Sequence, residues 1–181
     1  DDGDDTVKLV SWTDSDFANR MHNRHSITGQ VHFVNGGPVF TGSAKQKAMT
    51  GSSTEAELHA ARISASNTIY LRRLLKELGH EQVEPTPLMV DNQGAVRIIE
   101  DDSKYGDIKH IDVSIRMLQS WHALGELKAE PTKDPQQRAD IFTKGLTNLE
   151  HARKAQWVVT VPTLQIWLQN QVETKRSHII I

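Results

Sequence analysis

The chain has 181 residues, 37% hydrophobic and 24% charged, with a mean hydropathy of -0.50 and no cysteine. That is one domain's length on a prior of roughly 100–200 residues, and the composition excludes a disordered chain, disulfides, cysteine-based zinc sites and thiolate nucleophiles. Formal net charge is -2, of which Asp1, Asp2, Asp4 and Asp5 supply -4, so the rest is too nearly neutral for a strongly basic nucleic-acid binder.

Apolar runs such as residues 157–159 and 179–181 are short. A membrane span needs about 20 residues, so no membrane partner is expected, and no basic segment followed by an apolar one marks a secretory signal. A start on Asp1 rather than Met suggests a piece of something longer.

In chain order, residues 1–6 read as an acidic disordered leader. Residues 7–13 alternate as a strand, 27–34 form a second, and 39–43 a third after the Asn35-Gly36-Gly37-Pro38 turn. At Ser52 the character changes. Ser53-Thr54-Glu55 reads as a helix start, and Leu58, Ala61, Ala65, Ile69 and Leu75 carry helical spacing to a stop at Gly79. Residues 84–87 form a linker, 88–90 a strand ending on Asp91-Asn92, and 93–99 a short helix. Residues 108–124 read as a helix stopped by Gly125, 126–130 as a fifth strand, and 135–144 as a helix with proline near its first position. The order βββαβααβα implies an α/β fold on one mixed sheet. In the tail, residues 157–161 and 164–172 are apolar enough to pack, on this domain or on a neighbour.

Four acids stand at element boundaries: Asp14 after the first strand, Glu57 early in the long helix, Asp91 ending the fourth strand, and Asp140 in the last helix. Converging at one sheet edge, they would make a hard-cation site, because Mg²⁺ takes oxygen ligands and prefers carboxylates, water and phosphate. Two such ions about 4 Å apart activate water and stabilise a leaving oxygen in phosphodiester hydrolysis. With 23 acids in the chain, position alone does not single these out. Glu57 also reads as a helix-dipole partner, and Asp140 as a surface helix acid.

The local strings do single them out. Thr13-Asp14-Ser15-Asp16-Phe17-Ala18, Ser52-Ser53-Thr54-Glu55-Ala56-Glu57-Leu58, Val90-Asp91-Asn92-Gln93, Lys109-His110-Ile111-Asp112 and Arg138-Ala139-Asp140-Ile141-Phe142-Thr143-Lys144 occur in this order. Over about residues 9–146 the chain resembles the ribonuclease H domain at the end of the polymerase polyprotein of copia-type LTR retrotransposons. The resemblance implies a ribonuclease H-like fold, a five-stranded mixed sheet flanked by helices, over residues 7–146, with 147–181 as an extension. It implies that Asp14, Glu57, Asp91 and Asp140 are catalytic and hold two Mg²⁺ ions, for which Mn²⁺ substitutes, with Asp140 the most mobile. Asp16 is the rival to Asp14, and Glu55 to Glu57. The resemblance further implies that Gln93, with Asn92 beside it, reads the minor groove of an RNA–DNA hybrid, and that Ser53 and Thr54 contact the RNA strand; from the residues alone, Ser53 or Thr54 reads as a helix cap. RNA is told from DNA by its 2′-hydroxyls, which neutral polar groups suit.

Lys45 and Lys47, then Arg62, Arg72, Arg73 and Lys76, are candidate phosphate contacts; the last three also read as a solvated face partnering Glu77. The implied partners are the hybrid and an upstream reverse transcriptase domain, and the implied location is a cytoplasmic retroelement particle or the nucleus. Residues 130–138 lack the histidine that many ribonucleases H carry before the last aspartate; Lys133 and Arg138 are the cations there. Altered turnover rather than inactivity follows. His22 and His25 read as solvated loop residues, His110 as a helix-docking residue, and Trp121 and Trp157 as core. Two rivals remain: a domesticated binding module with little catalysis, and an integrase-like strand transferase, which typically lacks the helix glutamate.

Overall fold

The computed structural model describes residues 7–17, 25–47, 50–101, 113–132 and 136–159. Its centre is a five-stranded mixed sheet in the order β3-β2-β1-β4-β5: β1 (Leu9–Asp16), β2 (Ile27–Val34), β3 (Gly37–Lys45), β4 (Thr86–Val90) and β5 (Leu127–Pro131). β1, β2 and β3 form an antiparallel meander, while β4 runs parallel to β1 and β5 parallel to β4. The helices are α1 (Ser53–Glu77), α2 (Gln93–Glu100), α3 (Val113–Ala123) and α4 (Asn148–Val159). None of them is long and apolar enough to cross a membrane.

β3 extends two residues beyond the expected 39–43 at each end, β5 is shifted by one residue, and three further departures bear on the site. β1 runs on to Asp16, so Asp14 lies inside the strand, opposite Gly29 of β2, rather than after it. The apolar alternation fades after Thr13 because the buried positions there are filled by polar groups bonded to other elements. β4 starts at Thr86 and includes Pro87, which precedes the pairing of β4 with β1 at Leu88, so its missing N–H breaks no bond to that strand. Residues 136–144, the described part of the helix expected over 135–144, do not form one. Among the described residues there, 136–139 bend and only Asp140–Phe142 makes a single 3₁₀ turn. Side chains from elsewhere in the fold compete for this backbone. The buried Gln137 donates through Nε2 to the Thr13 carbonyl (2.9 Å) and accepts through Oε1 from the Ala139 N–H (3.1 Å). Ser43 Oγ of β3 donates to the Phe142 carbonyl (2.6 Å).

α1 is stopped at both ends by local chemistry. Ser52 Oγ accepts from the Glu55 N–H, Glu55 Oε2 accepts from the Gly51 N–H, and Gly79 takes φ +88° while His80 N–H reaches back to the Leu75 carbonyl. Its buried face carries Ala56, Ala60, Ala61 and Ala65, small enough to bring the helix close to the sheet. Leu58, Ala61, Ala65 and Ile69 join Leu88 and Val90 of β4, residues from α2 and α3, and Leu127 and Ala129 of β5 in one apolar core, with Trp121 half-buried against it.

A second cluster lies on the other sheet face. Val31, Phe33 and Val158 of α4 pack there with Trp12, Ile141 and Phe142, and the Arg138 guanidinium stacks over Trp12 and Phe33 (5.3 and 4.8 Å to the ring centroids). Residues 148–159 therefore belong to this sheet. α4 begins at a capping box, Thr147-Asn148-Leu149-Glu150, with the Thr147 hydroxyl donating to Glu150 Oε2.

Where α1 crosses β1 and β2 the interface is polar. Ser11 Oγ lies 2.8 Å from His32 Nδ1 and 2.7 Å from Thr68 Oγ1, and His32 Nε2 lies 3.1 Å from Gln30 Oε1, which also accepts from Asn67. Burial pushes the His32 imidazole down to about 4. The folded chain thus resists a proton that the unfolded chain takes up near pH 6.5, so this group's stabilisation is lost as pH falls from about 6.5 to about 4. In urea denaturation, His32→Leu is expected to be less stable near neutrality. It should also lack the part of the acid slope, of order 3 kcal/mol, that His32 contributes across this window.

Candidate metal centre

β1 and β4 are adjacent and parallel, with Thr13 in register with Val90. Each continues into an aspartate, Asp14 and Asp91, so the two carboxylates leave the same end of neighbouring strands. α1 crosses that end in its second turn and adds Glu57. Oxygens of Asp14, Glu57 and Asp91 lie within 4.8 Å of one another, and among the described residues this is the cluster able to hold a metal ion.

Asp14 is 0% exposed and Glu57 4%; Asp91 is exposed. Glu57 Oε1 is fixed by the N–H and hydroxyl of Ser15 (2.9 and 2.8 Å). Thr143 donates its hydroxyl to Asp14 Oδ2. Each buried acid is then left with one oxygen that has no hydrogen-bond partner, Asp14 Oδ1 and Glu57 Oε2. An unpartnered buried carboxylate oxygen is costly, and two of them within one small cluster suit a hard divalent cation. Burial, opposed by Lys144 and Thr143 and reinforced by Asp140 and Asp91, pushes the Asp14 carboxyl up to about 7. Burial with the charges of Asp91 and Asp14, opposed by Ser15, pushes Glu57 up to about 8.

Asp140 stands apart from this cluster. It is 2% exposed, and both its oxygens are occupied, Oδ1 by Lys144 Nζ (2.6 Å) and Oδ2 by Lys154 Nζ of α4. Burial works to raise its carboxyl, but the two lysines hold it below the usual range. Lys144 also reaches to 3.9 Å from Asp14 Oδ2, and its ammonium is raised, the two aspartates outweighing burial. The Asp140 turn lies directly on β2 because residue 29 is glycine. A Cβ there would meet Thr143 Cγ2 at 2.6 Å and the Ala139 carbonyl at 2.8 Å.

The rival acids separate. Asp16 ends β1 opposite Ile27, outside the cluster, and Glu55 turns back to the Gly51 N–H. The expected substrate residues flank the cluster on two adjacent helix N-termini. Ser53 and Gln93 are exposed as the first residues of α1 and α2. Asn92 caps α2 through Oδ1 and approaches Thr54 Oγ1 through Nδ2 (3.4 Å). Lys45 ends β3 at the same end of the sheet, level with Asp16 through their shared partner Ile27, and exposed Lys47 follows.

Arg72 is not a phosphate contact in this arrangement. Its guanidinium donates to Gln82 O, Glu84 O and Thr86 Oγ1, clamping the start of β4. Lys76 pairs with Glu81, not Glu77. His25 Nδ1 lies 2.9 Å from the Gln46 carbonyl rather than standing free in a loop. His22, His110, Lys133 and the Trp157 side chain fall outside the described part.

Sequence reasoning passed over Gly29, Thr143, Lys144 and Lys154. Thr143 and Lys144 sit in the Arg138–Lys144 string but were read as helix. The Thr147–Glu150 capping box signals α4, yet nothing local pairs its Lys154 with Asp140.

A raised carboxyl binds its proton more tightly folded than unfolded. Without divalent cations, the stability contributed by Glu57 is therefore lost as pH rises from about 4.5 through about 8. Glu57→Gln, which keeps the acceptor for Ser15, is expected to raise stability at pH 8 in EDTA by on the order of 2 kcal/mol in urea denaturation. Added Mg²⁺ should stabilise the wild type more than the variant.

No protein-family model matches the chain. It is 35% identical over 145 residues (78% of this chain) to the retrovirus-related Pol polyprotein from transposon TNT 1-94 of Nicotiana tabacum. It is 28% identical over 142 residues (78% of this chain) to that from transposon RE1 of Arabidopsis thaliana. The chain spans about 10% of the length of each. The N-terminal RNase H domain of a Mycobacterium tuberculosis protein, solved as a fusion with maltose-binding protein, superposes with a TM-score of 0.51 at 15% identity, covering 83% of this chain and 98% of that one. The fold is thus that of a ribonuclease H domain, and the homologues are Pol polyproteins of plant transposons.

Proposed function

We propose that this chain, a ribonuclease H domain of the retrovirus-related Pol type, is a metal-dependent endonuclease that hydrolyses the RNA strand of RNA–DNA hybrids during reverse transcription. The observation that carries this reading is the Asp14–Glu57–Asp91 cluster, with its two unpartnered buried oxygens, at one end of a ribonuclease H sheet. Such a site suits Mg²⁺, with Mn²⁺ as substitute. Asp14, Glu57 and Asp91 would hold one ion, and Asp14 with Asp140 a second. When bound, the ions would supply Lewis-acid charge for the phosphate and lower the pKa of water.

The chain's own residues do the rest. Ser15 fixes one oxygen of Glu57 and leaves the other without a hydrogen-bond partner. Thr143 does the same for Asp14. These constraints preorganise the acids, so little rearrangement is needed on binding. Ser53, Thr54, Asn92 and Gln93 present neutral donors and acceptors beside the cluster, suited to the 2′-hydroxyls and base edges of a hybrid's shallow minor groove. Lys45 and Lys47 meet the phosphates at the same sheet end. In-line attack of water on phosphorus expels the 3′-oxygen, giving a 3′-hydroxyl and a 5′-phosphate. The near-neutral charge suits a domain whose grip on the hybrid is shared with an upstream reverse transcriptase domain, the tether supplying effective concentration. Such a domain would work inside the element's particle in the cytoplasm, or in the nucleus.

Labelled RNA–DNA hybrid, double-stranded RNA and double-stranded DNA, incubated with Mg²⁺ or with EDTA, test this. The wild type is expected to cut only the RNA strand of the hybrid, only with metal, and Asp91→Asn to reduce cutting to background. Silence that persists with the upstream polymerase region attached would overturn the enzyme reading in favour of a binding module on the same fold.

A further inference from the structure

The turn that carries Asp140 is held in place without its lysines. Gln137 ties it to β1, Ser43 ties it to β3, Thr143 ties it to Asp14, and Gly29 lets it lie on β2. α4 is seated independently, through its capping box and through Val158 against Val31 and Phe33. From that helix Lys154, with a side chain only 12% exposed, reaches one oxygen of Asp140, while Lys144 takes the other. Two ammonium groups thus neutralise a single buried carboxylate, although the neighbouring cluster leaves two carboxylate oxygens without a partner. Both close ammonium contacts fall on the fourth acid, Lys144 lying 3.9 Å from Asp14 Oδ2.

Resting on the metal-centre reading above, we infer that Lys154 is a positioning residue that acts through Asp140 as a built-in competitor for the second divalent cation. An ion drawing on Asp140 must displace or share with Lys154 and Lys144, whereas an ion held by the three-acid cluster meets the unpartnered Asp14 Oδ1 and Glu57 Oε2. The chain therefore has one tight and one weak cation site, and α4 sets the gap between them. That helix lies outside the stretch carrying the four acids, so a segment remote in sequence tunes the metal dependence of the centre.

Mn²⁺ alone, added to the full chain and followed through the electron paramagnetic resonance of the free hydrated ion, tests this without any substrate. The wild type should show two classes of sites. A cation beside a carboxylate shifts its proton affinity by about one to three pKa units, so Lys154→Met and Lys154→Gln should tighten the weak class about tenfold. Lys154→Arg should stay near wild type. In an Asp140→Asn background, Lys154→Met should change nothing. Mn²⁺ binding with a weak class unmoved or weakened in Lys154→Met would overturn the inference while leaving the metal centre standing. So would loss of folding in both neutral variants, because Lys154 would then be holding the fold. Absence of any Mn²⁺ binding in the wild type would instead overturn the metal centre itself.

Discussion

Like charge gathered in a buried place is the constraint on which the rest of this structure depends. Asp14 and Glu57 are almost wholly buried, and Asp91 lies within 4.8 Å of both. In a low-dielectric setting their mutual repulsion is strong and their desolvation costly. Protonation is one answer, and the raised carboxyls of Asp14 and Glu57 show the chain leaning toward it. A divalent cation is the other. In its ionised form the cluster favours something positive beside it, and this is what suits the three acids to a divalent cation.

The surrounding fold reads as a set of answers to that constraint. Adjacent parallel strands place Asp14 and Asp91 at a common end. An alanine-rich face brings α1 near enough for Glu57 to join them. Ser15 and Thr143 each occupy one carboxylate oxygen by hydrogen bonding, leaving the other without a partner. Gly29 removes a side chain so that the Asp140 turn can approach. Lys144 and Lys154 then balance Asp140 from within the protein. Paired charge at Asp140 beside unpartnered oxygens on Asp14 and Glu57 gives the centre its asymmetry.

Most of this architecture was legible in the sequence, for identifiable reasons. Alternation in β2, the Asn35-Gly36 turn, and the cap and apolar spacing of α1 are local signals, and they led to the right elements. The three acids of the cluster were legible through the strings around them, since position alone does not separate them from the other acids of the chain. What failed was non-local. Residues 136–144 look helical by composition, but Gln137 and Ser43 divert the backbone with bonds to strands more than 90 residues away in the chain. The reach of β1 to Asp16 was hidden because its buried end is polar. The lysine of α4 that meets Asp140 was hidden as well, because no spacing rule links positions 140 and 154.

Crystals grown with Mn²⁺ and measured at the manganese absorption edge test the three-acid centre itself. An anomalous peak is expected in contact with Asp14 Oδ1, Glu57 Oε2 and the Asp91 carboxylate, present even at Mn²⁺ concentrations too low to fill a second position beside Asp140. A first peak seated on Asp140 with the three-acid cluster empty, or no peak near any of the four acids, would contradict it.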